Sequence, residues 1–177
     1  DKTSGPAEVH WMDGGIQPTR PEELGPNEVF GDGGNGTLFI GTKGKMVCGT
    51  YGANPQLLPT SRTKEVKVPI KYPRIPGSAE GHYAQWVEGA MAGYGKMKMD
   101  SDFAVAGPLT EALLMSNLAI RGFDIRIPKS AGQGYNYPAR YVELLWDNDQ
   151  MKVTNVPEVN EYIKRNYREG FGVNYNV

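Results

Sequence analysis

The chain has 177 residues, of which 39% are hydrophobic and 22% charged, enough for one globular domain with a sizeable core. Nineteen basic residues against twenty acidic ones leave a net charge of −1, so no global field draws in nucleic acid or an anionic membrane. Glycine (23) and proline (13) make up about a fifth of the chain, which calls for many turns and long connections, and a single cysteine excludes an intrachain disulfide framework.

No signal-peptide pattern opens the sequence, no apolar run approaches a membrane span, and the first residues (D-K-T-S-G-P) lack an initiator Met, so a piece of a longer protein is expected. Residues 6–13 (P-A-E-V-H-W-M-D) predict a strand, with Val9 and Trp11 on one face and His10 and Met12 on the other. Residues 14–36 are dense in Gly and Pro without periodicity. A loop of that length inside a compact domain is functional, oligomeric or disordered. Next, residues 37–40, a turn at 41–44 and residues 45–51 predict a β-hairpin, with Cys48 in the second strand as a buried inert thiol; a reactive thiol is the minority reading. Residues 55–69 read as irregular and then extended, with Val66 and Val68 on one face.

Residues 78–91 predict a helix with Tyr83, Trp86, Val87 and Ala90 on one side. A polar connection at 94–105 leads to the strongest helical signal, residues 107–122, with Pro108 suited to the first helical position and Gly122 to a left-handed end. Only Thr110, Asn117 and Arg121 keep a polar strip along that helix, so it must be covered on nearly every side. Beyond it, Phe123, Ile125 and Ile127 alternate as a half-buried strand. Residues 141–146 (Y-V-E-L-L-W) are apolar on both faces, the turn 147–149 leads to a strand at 151–154, and a last helix begins near Pro157 and carries Val159, Tyr162, Ile163 and Tyr167. About six strands with helices between and after them predict a single α+β domain over residues 1–177: an open, mostly antiparallel sheet with helices packed on one face.

Several motifs match in letter only. Gly31, Gly33 and Gly36 satisfy G-x-G-x-x-G, but a strand follows where phosphate binding needs a helix N-terminus. Ser61 and Lys64 satisfy S-x-x-K in a stretch that is extended, not the helix start the chemistry uses, and Asn35 heads a glycosylation sequon without secretory context. Two widely spaced histidines and one cysteine give neither a metal site nor a Ser-His-Asp arrangement. His82 reads as a capping or solvated residue, with a substrate contact as the alternative. Trp11 and Trp86 read as core or interface, with sugar stacking as the alternative.

The segments 9–24, 38–45, 54–62 (N-P-Q-L-L-P-T-S-R), 81–88 (G-H-Y-A-Q-W-V-E), the helix at 107–122 and 151–162 resemble, in collinear order, the C-terminal domain of bacterial Gfo/Idh/MocA-type oxidoreductases, in the branch with sugar-active, glycosidase-like members. Residues 131–138 and 170–177 are atypical. The resemblance implies an NAD- or NADP-dependent enzyme acting on a sugar or cyclitol, its cofactor held by a Rossmann domain outside this chain. It also implies a homo-oligomer formed through the sheet face. The family's E-K-P lysine and D-x-x-x-H pair do not occur here, so no catalytic residue, cofactor ligand or metal ligand is carried over. The chain alone is expected to be inactive, with Asn54, Arg62, His82 and Trp86 as candidate contacts to a sugar-like molecule. The rival reading is a non-catalytic binding or assembly module with the same fold.

Overall fold

The computed structural model describes residues 5–172; the opening four residues, and residues 173–177 of the atypical tail, lie outside the described residues. The protein is a mixture of helix and strand with small antiparallel sheets. Two compact units divide it, one ending at Arg74 and one beginning at Ile75.

The first unit is built on the expected hairpin. Strands β1 (Thr37–Gly41) and β2 (Gly44–Cys48) pair antiparallel from Thr37 opposite Cys48 to Gly41 opposite Gly44, leaving Thr42 and Lys43 as a two-residue turn. A third strand, β3 (Gln56–Leu58), adds to β2 with Lys45 opposite Leu58. Leu24, Val47 and Leu58 form the buried cluster, with Phe30 and Leu38 packed against it. The Gly- and Pro-rich stretch 14–36 therefore supplies core residues from a chain of turns. Arg20 ties that chain together by donating to the carbonyls of Gly25 and Glu28, and Lys45 reaches Glu23 at 2.9 Å. Residues 6–13 carry no strand pairing, and Trp11 is exposed. Their alternation is real, but no neighbouring backbone is available to complete a ladder, and alternation alone does not make a strand.

In the second unit, α1 (Ser78–Ala92) and α2 (Phe103–Gly122) are the two long helices. Helix α2 begins four residues earlier than expected because Asp102 is a better cap than Ala106: its carboxylate accepts the Val105 N–H at 3.1 Å. Pro108 thus lies inside the helix and not at its first position. Gly122 is not left-handed; it is buried, and an added Cβ would stand 3.1 Å from Val159 Cγ2 and 3.3 Å from Ala139 Cβ. Close approach, not backbone freedom, is what the glycine provides.

The expected strands of this unit shrink to two-residue pairs: β4 (Ile127–Pro128) with β5 (Tyr135–Asn136), and β6 (Trp146–Asp147) with β7 (Lys152–Val153). Pro128 stops β4 by removing a donor. Tyr141 takes a left-handed backbone (φ 57) and Asn155 satisfies Leu145 N–H and Glu143 carbonyl by side chain, so residues 141–145 form no ladder. The last helix is a single 3-10 segment, Pro157–Tyr162, which leaves Tyr167 beyond it. Ala139, Val153, Val156 and Val159 make the core, with Leu118, Ile125, Leu144 and Trp146 against it.

Helix α2 faces that core through Glu111, Met115, Leu118 and Gly122, a stripe with spacings of four, three and four. The opposite stripe, Leu109, Leu113 and Ile120, is exposed, contrary to the expectation of cover on nearly every side. With its earlier start the helix has 20 residues and a mean hydropathy of 1.4, only 6% of it buried, which corrects the expectation that no apolar run approaches span length. The likeness is one of length and composition; Glu111 and Arg121 interrupt it. Helix α1 is held mainly at its sides, by Gln85, which exchanges two hydrogen bonds with Asp100, and by Met99 against Gly89.

Candidate functional site

The first unit holds an open cavity of about 770 Å³. One wall comes from the turn chain (Glu28, Val29 and Gly31), another from the end of β2 (Val47, Cys48 and Gly49), and the third from the segment around β3 and the short 3-10 helix Thr60–Lys64 that follows it. Asn54 lies on this third wall in a left-handed conformation (φ 46), which asparagine tolerates better than most residues. Gln56, Ser61, Thr63 and Lys64 complete its polar lining.

The glycine pattern at 31–36 shapes the floor. Gly31 and Gly36 both have positive φ, and a Cβ on Gly36 would come within 2.5 Å of the Cys48 carbonyl oxygen. Asp32 locks the turn by accepting the Thr50 N–H at 2.6 Å, and Thr50, through its hydroxyl first and its backbone N–H second, holds the Asp32 carboxyl below its ordinary range. Cys48 is buried at 6% exposure behind this turn and borders the cavity.

Glu28 is the one acidic side chain among the lining residues. It accepts from the Thr60 hydroxyl and from Gly25 N–H at 2.6 Å, and these two donors, the hydroxyl foremost, hold its carboxyl below the usual range. A carboxylate tuned downward is a poor proton shuttle near neutral pH, where a general acid or base is matched to the working pH. Thr63 is also engaged, accepting Leu57 N–H at 2.9 Å. Glu28 and Thr63 are therefore engaged within the fold, and Asn54, Gln56 and Ser61 supply further amide and hydroxyl groups to the lining.

Of the four candidate contacts, the cavity takes up Asn54. Arg62 is close by in sequence but is turned to the hairpin: its Nη1 reaches the Leu58 carbonyl at 3.5 Å and crowds Gly44. His82 and Trp86 belong to α1 in the second unit; His82 meets Tyr83 edge-on at 5.6 Å between ring centroids, and Trp86 is 69% exposed. Trp86 is thus not a core residue in this chain. Gln56, Ser61, Thr63 and Lys64 also line the cavity without having been singled out as contacts, and Ser61 and Lys64, expected in an extended stretch, lie in the 3-10 helix. Among the described residues no three His, Cys, Asp or Glu side chains gather as a metal site. No protein-family model matches the chain, and no curated protein shows significant similarity to it.

Proposed function

We propose that this chain forms part of the substrate pocket and the subunit contact of an NAD- or NADP-dependent oxidoreductase acting on a sugar or cyclitol, as its resemblance to the Gfo/Idh/MocA C-terminal domain implies. The finer architecture of that family, one open and mostly antiparallel sheet with helices on one face, belongs to the same proposal, as does a homo-oligomer through the sheet face. The nicotinamide is held by a Rossmann domain outside this chain, and hydride transfer is the work of that cofactor. The carrying observation is the cavity around Asn54, whose amide and hydroxyl lining (Asn54, Gln56, Ser61) suits a neutral polyol and whose carboxylate is already satisfied.

Saturation-transfer NMR of the chain with myo-inositol and with D-glucose tests this reading. Transfer that Asn54→Ala weakens supports it, and absence of transfer from both compounds refutes the pocket assignment. A second reading, a non-catalytic binding or assembly module, is favoured by the exposed apolar stripe of α2 and by the exposed Tyr83, Trp86 and Met91 of α1, since uncovered apolar surface of this extent marks contact sites. The two readings separate on reconstitution: an oxidoreductase part restores nicotinamide-dependent turnover when joined to a matching Rossmann domain, and an assembly module does not.

A further inference from the structure

The charges around the cavity are unevenly committed. Glu28 has its donors in the Thr60 hydroxyl and Gly25 N–H, and Arg20 lies close enough for its guanidinium to lower the Glu28 carboxyl further while donating to the Glu28 carbonyl at 2.7 Å. Lys64, the one cationic side chain among the lining residues, has no carboxylate within ion-pair distance among the described residues. It stands at the end of the 3-10 helix whose Ser61 and Thr63 also line the cavity. Thr63 is engaged by Leu57, which leaves Asn54, Gln56 and Ser61 to meet hydroxyl groups and Lys64 to meet a charge.

Resting on the polyol-pocket reading above, we propose that the ligand of this cavity is an acidic sugar, a polyhydroxylated ring or chain bearing one carboxylate, with that carboxylate on the Lys64 ammonium. A neutral sugar uses only the amide and hydroxyl lining. A sugar acid adds one charge-assisted hydrogen bond to an ammonium that otherwise faces water. Because Lys64 is exposed, the gain is that of a partly screened pair, about fivefold in affinity.

Calorimetric titration of the full chain with sodium D-glucuronate and with D-glucose in low-salt buffer at pH 7 tests the proposal. The expected result is glucuronate binding about fivefold tighter than glucose. Lys64→Gln abolishes that preference, and Lys64→Arg retains it. Equal affinity for the two sugars, or a preference that survives Lys64→Gln, overturns the acidic-sugar assignment and leaves the polyol pocket standing. Binding of neither sugar overturns both.

Discussion

Replacing Asn160 by Ala probes how the second unit is held together. Trp146 and Val153 stand opposite each other in the β6–β7 pair, yet the bonds of that pair run elsewhere, through Thr154 N–H to the Leu145 carbonyl at 2.9 Å. Val153 therefore turns its own N–H and carbonyl outward, away from β6. Asn160 meets both: its Oδ1 accepts Val153 N–H at 2.8 Å and its Nδ2 donates to the Val153 carbonyl at 2.9 Å, so one side chain does the work of an adjoining strand. Val153 is 2% exposed, which leaves its backbone little access to water once the amide is gone. Two net hydrogen bonds at about 1 kcal/mol each, plus the penalty of stranded backbone groups, put the loss at about 2–4 kcal/mol. Urea unfolding followed by circular dichroism measures it, and amide exchange reports the same event locally, because Val153 N–H must lose its protection. Asn160→Asp is the control: it can still accept from the N–H but sets a carboxylate against the Val153 carbonyl, so it recovers less than half of the loss. A cost below about 0.5 kcal/mol for Asn160→Ala, with Val153 protection intact, refutes the assignment.

Other consequences are equally direct. Gly36→Ala, which forces a Cβ to within 2.5 Å of the Cys48 carbonyl at φ 149, costs about 2–3 kcal/mol and is read by urea unfolding. Trp146→Phe removes the indole N–H that Glu111 accepts at 2.6 Å and lowers stability by about 1–3 kcal/mol, and Trp146→Phe combined with Glu111→Leu recovers part of it. On acidification the first unit weakens before the second. Glu23 (bonded by Lys45), Glu28 (by Thr60) and Asp32 (by Thr50) all have folded pKa values below their ordinary 4.5, 4.5 and 3.8. Their stabilisation is present above those ordinary values and is lost as pH falls through the lowered ones, so NMR signals of the first unit should disperse at neutral pH and collapse below about pH 4. Glu28→Gln should flatten that dependence.

What could be read from the sequence was local. The β1–β2 hairpin needed only a two-residue turn between apolar runs, and α1 came within one residue of its observed bounds. A strand was expected to follow Gly31, Gly33 and Gly36, and β1 does follow them, with Gly36 held in close approach to the Cys48 carbonyl. Asn54, a candidate contact on the family resemblance, lines the cavity on a left-handed backbone that suits an asparagine. Where a choice depended on distant partners, the sequence misled. Gly122 looked like a helix stop, and only the position of Val159 shows that it is a contact. The run 141–146 has the composition of a buried strand, but Asn155 captures backbone groups of Glu143 and Leu145, and only Trp146 of the run joins a ladder.

The same distinction bears on α2. Three of the four residues of its inner stripe have contacts within the unit: Glu111 to the Trp146 indole, Leu118 to the valine core and Gly122 to Val159. Its outer stripe obeys the same helical spacing, with Leu109, Leu113 and Ile120 in register, yet stays exposed. Intrinsic propensity does not require this second stripe, since alanine or glutamate would serve an exposed helix face better. Burying each of the three side chains is worth about 1.5–3 kcal/mol, so any surface that covers them gains several kcal/mol before the entropy of association is subtracted. Replacing Leu113 by Glu separates the possibilities: if the stripe is a contact, the variant keeps the unfolding midpoint of the isolated chain and loses only self-association or partner binding. A fall in its unfolding free energy by more than about 1 kcal/mol would instead show that the outer stripe is already buried within the fold.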